Sequence, residues 1–129
     1  MDPPIATFFD GTIKSLWLDP VDVRTRFDLD DLRSRQRAQN DALLIGWAAV
    51  SPGSNATVIE FDFRASGGAK QKLLRRLHGN KLLRSGGFKL RHAISLEWLR
   101  DYTLAYEIVA QDCGGQLVSW DYVPSPLTA

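Results

Sequence analysis

The sequence predicts an α+β fold built on an antiparallel-dominated sheet, and three observations carry that expectation. Residues 57–123 run strand–helix–strand–strand–helix–strand, the split βαβ or ferredoxin-like order. Within them, Thr57–Arg64 alternates cleanly, with Thr57, Ile59, Phe61 and Phe63 on one face and Val58, Glu60, Asp62 and Arg64 on the other. A long helical pattern then stops at Gly114-Gly115 before a last short strand pattern. At 129 residues, 44% hydrophobic and 24% charged, the chain has the size and composition of one soluble domain.

Taken in order, Ile5–Phe9 and Thr12–Leu18 read as strands joined at Asp10-Gly11, a two-residue hairpin signal. Asp28 is placed to cap a helix over Phe27–Asn40, with Asp30 and Asp31 in its first turn. Its apolar stripe is thin (Leu29, Leu32, Ala38), so a mostly solvated helix is expected. The run ALLIGWAAV, Ala42–Val50, is bounded by Asp41 and Pro52 and predicts a strand buried on both faces. Hairpin, helix and strand of residues 1–56 would then extend or cover the sheet of residues 57–123.

Ser66 can cap a helix starting near Gly68, and Gly79-Asn80 can stop it. On that helix Ala69, Leu73, Leu74 and Leu77 share an apolar face, opposite Gln71, Lys72, Arg75, Arg76 and His78. Lys81–Arg84 and Phe88–Ala93 form a predicted hairpin around Ser85-Gly86-Gly87. Ser95 opens a helix to about Asp112 with the stripe Leu99, Tyr102, Tyr106 and Val109, and Gln116–Val123 is the last strand. A Pro-rich tail over 124–129 is expected to fray.

Charge is the main functional signal. Net charge is only +1, yet residues 64–92 hold nine of the 16 basic side chains and none of the 15 acids. A folded cationic face is therefore expected on a chain that stays near neutral overall. Cys113 is the single cysteine, which predicts a packing residue in a reducing, cytoplasmic setting. The N-terminus MDPPIATFFDGT has neither the basic nor the apolar region of a secretory signal, and no membrane span is expected.

The basic segment points to phosphate binding. Lys70, Lys72, Arg75 and Arg76 would form a ridge on one helix, Lys89 and Arg91 a strand edge, with Lys81 and Arg84 between them. Ser66, Gly67 and Gly68 would offer free backbone N–H groups to an anion at the helix start. Against this, Glu60 and Asp62 could lie opposite Lys89 and Arg91 on neighbouring strands and neutralise them. Base readout is not expected, because Phe61, Phe63 and Phe88 share faces with Ile59 and Leu90 and read as core.

Two expectations of function follow. One is a non-enzymatic module that binds RNA or DNA phosphates through residues 64–92. The other is a small protein-interaction factor, of inhibitor, immunity or phage type, docking the same face on an acidic protein or a nucleic-acid-binding surface. A metal-independent ribonuclease using His78 and His92 is a minor alternative. Arg33-Ser34-Arg35-Gln36-Arg37 follows three aspartates and reads as a salt-bridged helix. Metal spacing, P-loop and dinucleotide fingerprints are absent, so no cofactor or metal is expected. Trp98 and Trp120 read first as core pieces, with an exposed partner anchor as the alternative for either, Trp47 is a candidate core residue, and an uncovered edge at Lys81–Arg84 would permit a homodimer.

The close of the chain, a long helix running into CGGQLVSWDYV at residues 113–123, resembles the end of the RraB-like family of ribonuclease E inhibitors. There too a helix meets Gly-Gly and a short strand carries a Trp, and the element order of residues 57–123 agrees. The acidic character of that family is absent from residues 64–92, and residues 1–56 have no counterpart in it. The resemblance implies a fold and carries no function.

Overall fold

A computed structural model describes residues 4–123, with side chains from residue 8 onward. It is an α+β structure in which the N-terminal part is entirely helical: α1 (Pro4–Ser15), α2 (Pro20–Arg26) and α3 (Leu29–Val50). There follow β1 (Ala56–Arg64), α4 (Gly67–Arg76), β2 (Asn80–Arg84), β3 (Gly87–Ser95), a 3₁₀ turn at Leu96–Trp98, α5 (Leu99–Cys113) and β4 (Gln116–Tyr122). The expected tail over 124–129 lies outside the described residues.

The predicted hairpin around Asp10-Gly11 is instead the single helix α1. Its buried residues Phe9, Ile13 and Leu16 follow helical spacing, which one apolar stripe satisfies and an alternating strand does not. The helix ends in a Schellman motif: Leu18 N–H donates to Ile13 O at 3.1 Å and Trp17 N–H to Lys14 O at 3.0 Å. Trp17 occupies the left-handed position of that motif (φ 64°), a place that favours glycine.

The predicted strand Ala42–Val50 is the second half of α3. Asp28 caps this helix as expected, its carboxylate accepting from Asp31 N–H at 3.0 Å. Nothing between Asn40 and Ala42 can stop a helix, and the run is rich in Ala and Leu, strong helix formers. A short apolar run carries no periodicity of its own, so the helix already under way decides its state. Burial follows Leu32, Gln36, Asn40 and Leu43, whereas Ile45 is 72% exposed. Ala38, expected in the stripe, faces solvent, and the face packed on the protein is half polar.

From Ala56 onward the expected elements form. The sheet order is β2-β3-β1-β4, with every neighbouring pair antiparallel. Ile59, Phe61 and Phe63 of β1, Phe88 and Leu90 of β3, and Leu117 and Trp120 of β4 are buried on the face that α5 covers. The rings of Phe61 and Tyr106 meet edge to face at 4.8 Å, and Phe63 stacks on Phe88 at 5.1 Å. A register shift in the β1–β4 pairing leaves Val118 as an extra residue. Trp120 consequently turns inward opposite Phe61 while Val118 is exposed, and the two do not share a face as a regular strand would require.

α5 begins one turn after Ser95 and stops where expected. Gly114 is left-handed (φ 90°), and Gly115 N–H donates to Ala110 O at 2.8 Å. Ser66 and Ser95 stand at cap positions, but neither side chain caps its helix. No helix among the described residues is long and apolar enough to cross a membrane.

Candidate functional site

The basic segment folds as α4, β2 and β3, and its cations divide into two groups. On β3, Arg91 stands opposite Glu60 and Lys89 opposite Asp62 across the β1–β3 ladder. Glu60 accepts from Arg91 at 2.9 Å and pairs with Lys89 at 3.3 Å, and Arg84 of β2 pairs with Asp62. Partial burial works against the Glu60 charge, but the hydrogen bonds and charges of Arg91 and Lys89 outweigh it and hold the carboxyl below its ordinary range. The open face of the sheet is thus a ladder of opposite charges, and Arg84, Lys89 and Arg91 do not form a free cationic edge.

Arg76 also leaves the predicted ridge. It turns into the protein, its side chain only 12% exposed, and donates through Nη1 to Asp112 Oδ2 at 2.6 Å and through Nε to Leu16 O at 2.8 Å. Asp112 binds Arg26 as well, at 2.9 Å. Although partial burial opposes the Asp112 charge, the two guanidinium groups keep this carboxyl below its ordinary range. Arg76 also donates to the Cys113 thiol at 3.3 Å, so the single cysteine is buried behind it.

Five basic side chains of the segment have no acidic partner among the described residues: Arg64, Lys70, Lys72, Arg75 and Lys81. Lys72 and Arg75 are exposed on α4. Lys70 reaches across to the Arg84 carbonyl at 2.8 Å and ties the start of α4 to the β2–β3 hairpin. That contact borders a cleft of about 620 Å³ at the α4 N-terminus. Arg64, Arg84, Ser66 and Ser85 line it, with the backbones of Gly86 and Gly114, and no acidic side chain does. The first backbone N–H groups of α4, at Gly67 and Gly68, belong to the same end of the helix. The Arg64 guanidinium, two hydroxyls and the α4 amides make this the part of the surface suited to an anion, with Arg84 beside them already paired with Asp62.

The two histidines are placed differently. His78 is exposed beyond the end of α4. His92 is half-buried, its Nδ1 hydrogen-bonded to the Tyr106 hydroxyl at 2.8 Å and its ring edge-on to Tyr102. Burial lowers the His92 pKa and raises that of Tyr106, so a neutral imidazole meets a protonated phenol. No hydrogen bond joins the two histidines. Among the described residues no cluster of His, Cys, Asp and Glu could hold a metal ion.

The tryptophans take the core reading more often than the anchor one. Trp120 is buried and donates to Asn40 Oδ1 at 2.7 Å, and Trp98 stacks on Phe8 at 4.2 Å. Trp47, expected in the core, is only half-buried and donates to Ser54 O at 3.0 Å. The exposed tryptophan is Trp17. β2 is an edge strand, and its Leu83 is 68% exposed.

A second polar cavity, of about 540 Å³, lies between α3 and the start of α5 and was not expected. The basic knot of α3 is salt-bridged in part: Arg35 pairs with Asp31 and Arg33 with Asp101 at 4.0 Å, whereas Arg37 has no acidic partner among the described residues, and Arg33 and Arg37 line this cavity with Gln36 and Asn40. The spacing 33, 36, 37, 40 is one helix face, a signal visible in the chain but indistinguishable there from a solvated polar stripe.

Compared with known proteins, the chain matches no family model, no curated protein and no solved structure. The likeness to the ribonuclease E inhibitors therefore rests on residues 113–123 and the element order alone.

Proposed function

We propose that this protein is a non-enzymatic binding module that holds the phosphate backbone of a nucleic acid on the α4 flank of a ferredoxin-like frame. The antiparallel order β2-β3-β1-β4 supports the frame, since a split βαβ unit places its first and third strands at the centre. The observation that carries the function is the cleft at the start of α4, lined by no acidic side chain, where the unpaired Arg64 meets two serine hydroxyls. One phosphate would sit there and its neighbours would run along Lys72, Arg75 and Lys81. Lys89 and Arg91 are left out of the interface, because Glu60 already satisfies them.

Roughly five phosphate contacts predict a strong salt dependence. For a single strand the slope of log K against log salt would be about −3.5, so affinity falls about a hundredfold between about 50 and about 200 mM salt. Titration of a labelled single- or double-stranded oligonucleotide at the two salt concentrations measures this. Exchanging Arg64, Lys72 and Arg75 together for Glu should abolish binding, while Arg91→Gln should leave it nearly intact. Absence of binding at the lower salt would sink the proposal. The exposed Leu83 beside Lys81 on an edge strand favours a second reading, docking on an acidic protein surface, which predicts no oligonucleotide binding at either salt concentration.

A further inference from the structure

The buried polar side chains among the described residues are Gln36, Asn40, Asp101 and Thr103, and all four meet where α3 crosses α5. Burying polar groups costs free energy unless they are hydrogen-bonded, so such a concentration requires an account. Part of it is structural. Asn40 Nδ2 donates to Thr103 Oγ1 at 3.2 Å while its Oδ1 accepts from Trp120, which fixes the amide orientation. Gln36 Nε2 donates to Thr103 O at 3.1 Å and to Glu107 Oε1 at 2.9 Å.

One buried acceptor remains without a partner, and a second is only weakly paired. Both Gln36 donors face oxygen atoms, so the amide cannot be flipped, and Oε1 is left buried with no partner. Asp101 accepts no hydrogen bond among the described residues, and its nearest cation, Arg33, is at the limiting distance of 4.0 Å. Burial pushes the Asp101 carboxyl above its ordinary pKa, and Arg33 opposes this only in part. Gln36 and Asp101 both line the 540 Å³ cavity.

The same cavity holds donors that lack acceptors. Arg37 has no acidic partner among the described residues, and Arg100 reaches only Asp41, an exposed pair at 3.3 Å. Arg33, Arg37 and Arg100 thus bring three guanidinium groups to a cavity that Asp101 and Gln36 also line. A bare dianion would meet Asp101 and Glu97, and a bare cation would meet the three arginines. A ligand that carries both signs a few ångströms apart satisfies every group at once.

We propose that the α3–α5 cavity binds a small amino-carboxylate zwitterion, the chemistry of a free α-amino acid. Its carboxylate lies on Arg37 and Arg100, and its ammonium group donates to Asp101 beside Gln36. The volume suits a small ligand. None of these residues belongs to segment 64–92, so this site stands or falls independently of nucleic-acid binding.

The test is an NMR titration of the ¹⁵N-labelled full chain with the free L-amino acids one at a time, up to millimolar concentration. At least one should shift the Gln36 side-chain amide and the backbone amides of 97–103 saturably. Its methyl ester and its N-acetyl derivative, which each remove one charge, should bind at least about tenfold more weakly. Arg37→Met should weaken binding by a similar factor without lowering the melting temperature, since Arg37 is exposed and bonds to nothing else. The proposal is overturned if no amino acid gives a saturable shift. It is equally overturned if inorganic phosphate or methylamine binds as tightly as the best amino acid, or if Arg37→Met binds normally.

Discussion

Replacing Arg76 with Ala should lower the protein's stability and leave the proposed nucleic-acid binding nearly unchanged. The guanidinium makes three hydrogen bonds to oxygen, to Asp112 at 2.6 Å, Leu16 O at 2.8 Å and Trp17 O at 3.3 Å. Hydrogen bonds to a charged group contribute about 1.5–3 kcal/mol each where the partner is left unsatisfied. Here the loss is reduced, because Asp112 keeps Arg26 and the two carbonyls lie near the surface. A total of about 3 kcal/mol follows, which for a chain of this size lowers the melting temperature by about 10 °C. Lys72→Ala and Arg75→Ala remove exposed, unpaired cations and should each change stability by less than about 0.5 kcal/mol. Urea denaturation followed by tryptophan fluorescence measures the stabilities, and the oligonucleotide titration measures affinity on the same variants. If Arg76→Ala lost under about 1 kcal/mol while weakening binding as much as Lys72→Ala, the division of the ridge into structural and binding cations would be refuted.

Gly46→Ala tests the helical state of Ala42–Val50: the new methyl meets Tyr122 at an ordinary 3.5 Å, so a gain of about 0.5–1 kcal/mol is expected, and a loss would contradict the helix. Gly87→Ala should cost about 3 kcal/mol, because its Cβ collides with the Phe63 carbonyl across the β1–β3 ladder, and an unchanged melting temperature would contradict that register. Stability should also fall in mild acid through His92. Burial depresses its folded pKa below the ordinary 6.5 of histidine, so the unfolded chain takes the proton first. The contribution is complete above about pH 6.5 and is lost as pH falls toward the folded value. Urea midpoints at about pH 7.5 and about pH 5.5 should differ less in His92→Gln than in the parent, and equal differences would remove His92 from the account.

Local patterns decided the C-terminal half of this protein before any tertiary contact was considered. The alternation of Thr57–Arg64, the stripe through Leu99, Tyr106 and Val109, and the stop at Gly114-Gly115 each encode one element, because side-chain period and backbone chirality are properties of a few neighbouring residues. The same holds for the Asp28 cap and for the concentration of positive charge in residues 64–92. Tertiary structure alone decided the rest. Asp10-Gly11 became helix because Phe9, Ile13 and Leu16 found one core to face, and the run after Asp41 continued a helix whose buried side is the polar pair Gln36 and Asn40. Which cations remain available depended on register: a ladder that puts Arg91 opposite Glu60 neutralises it, and a helix end against Asp112 consumes Arg76. Charge partners distant in sequence are chosen by packing, so the chain specified how much positive charge the segment carries, and the fold left Arg64, Lys70, Lys72, Arg75 and Lys81 without an acidic partner among the described residues.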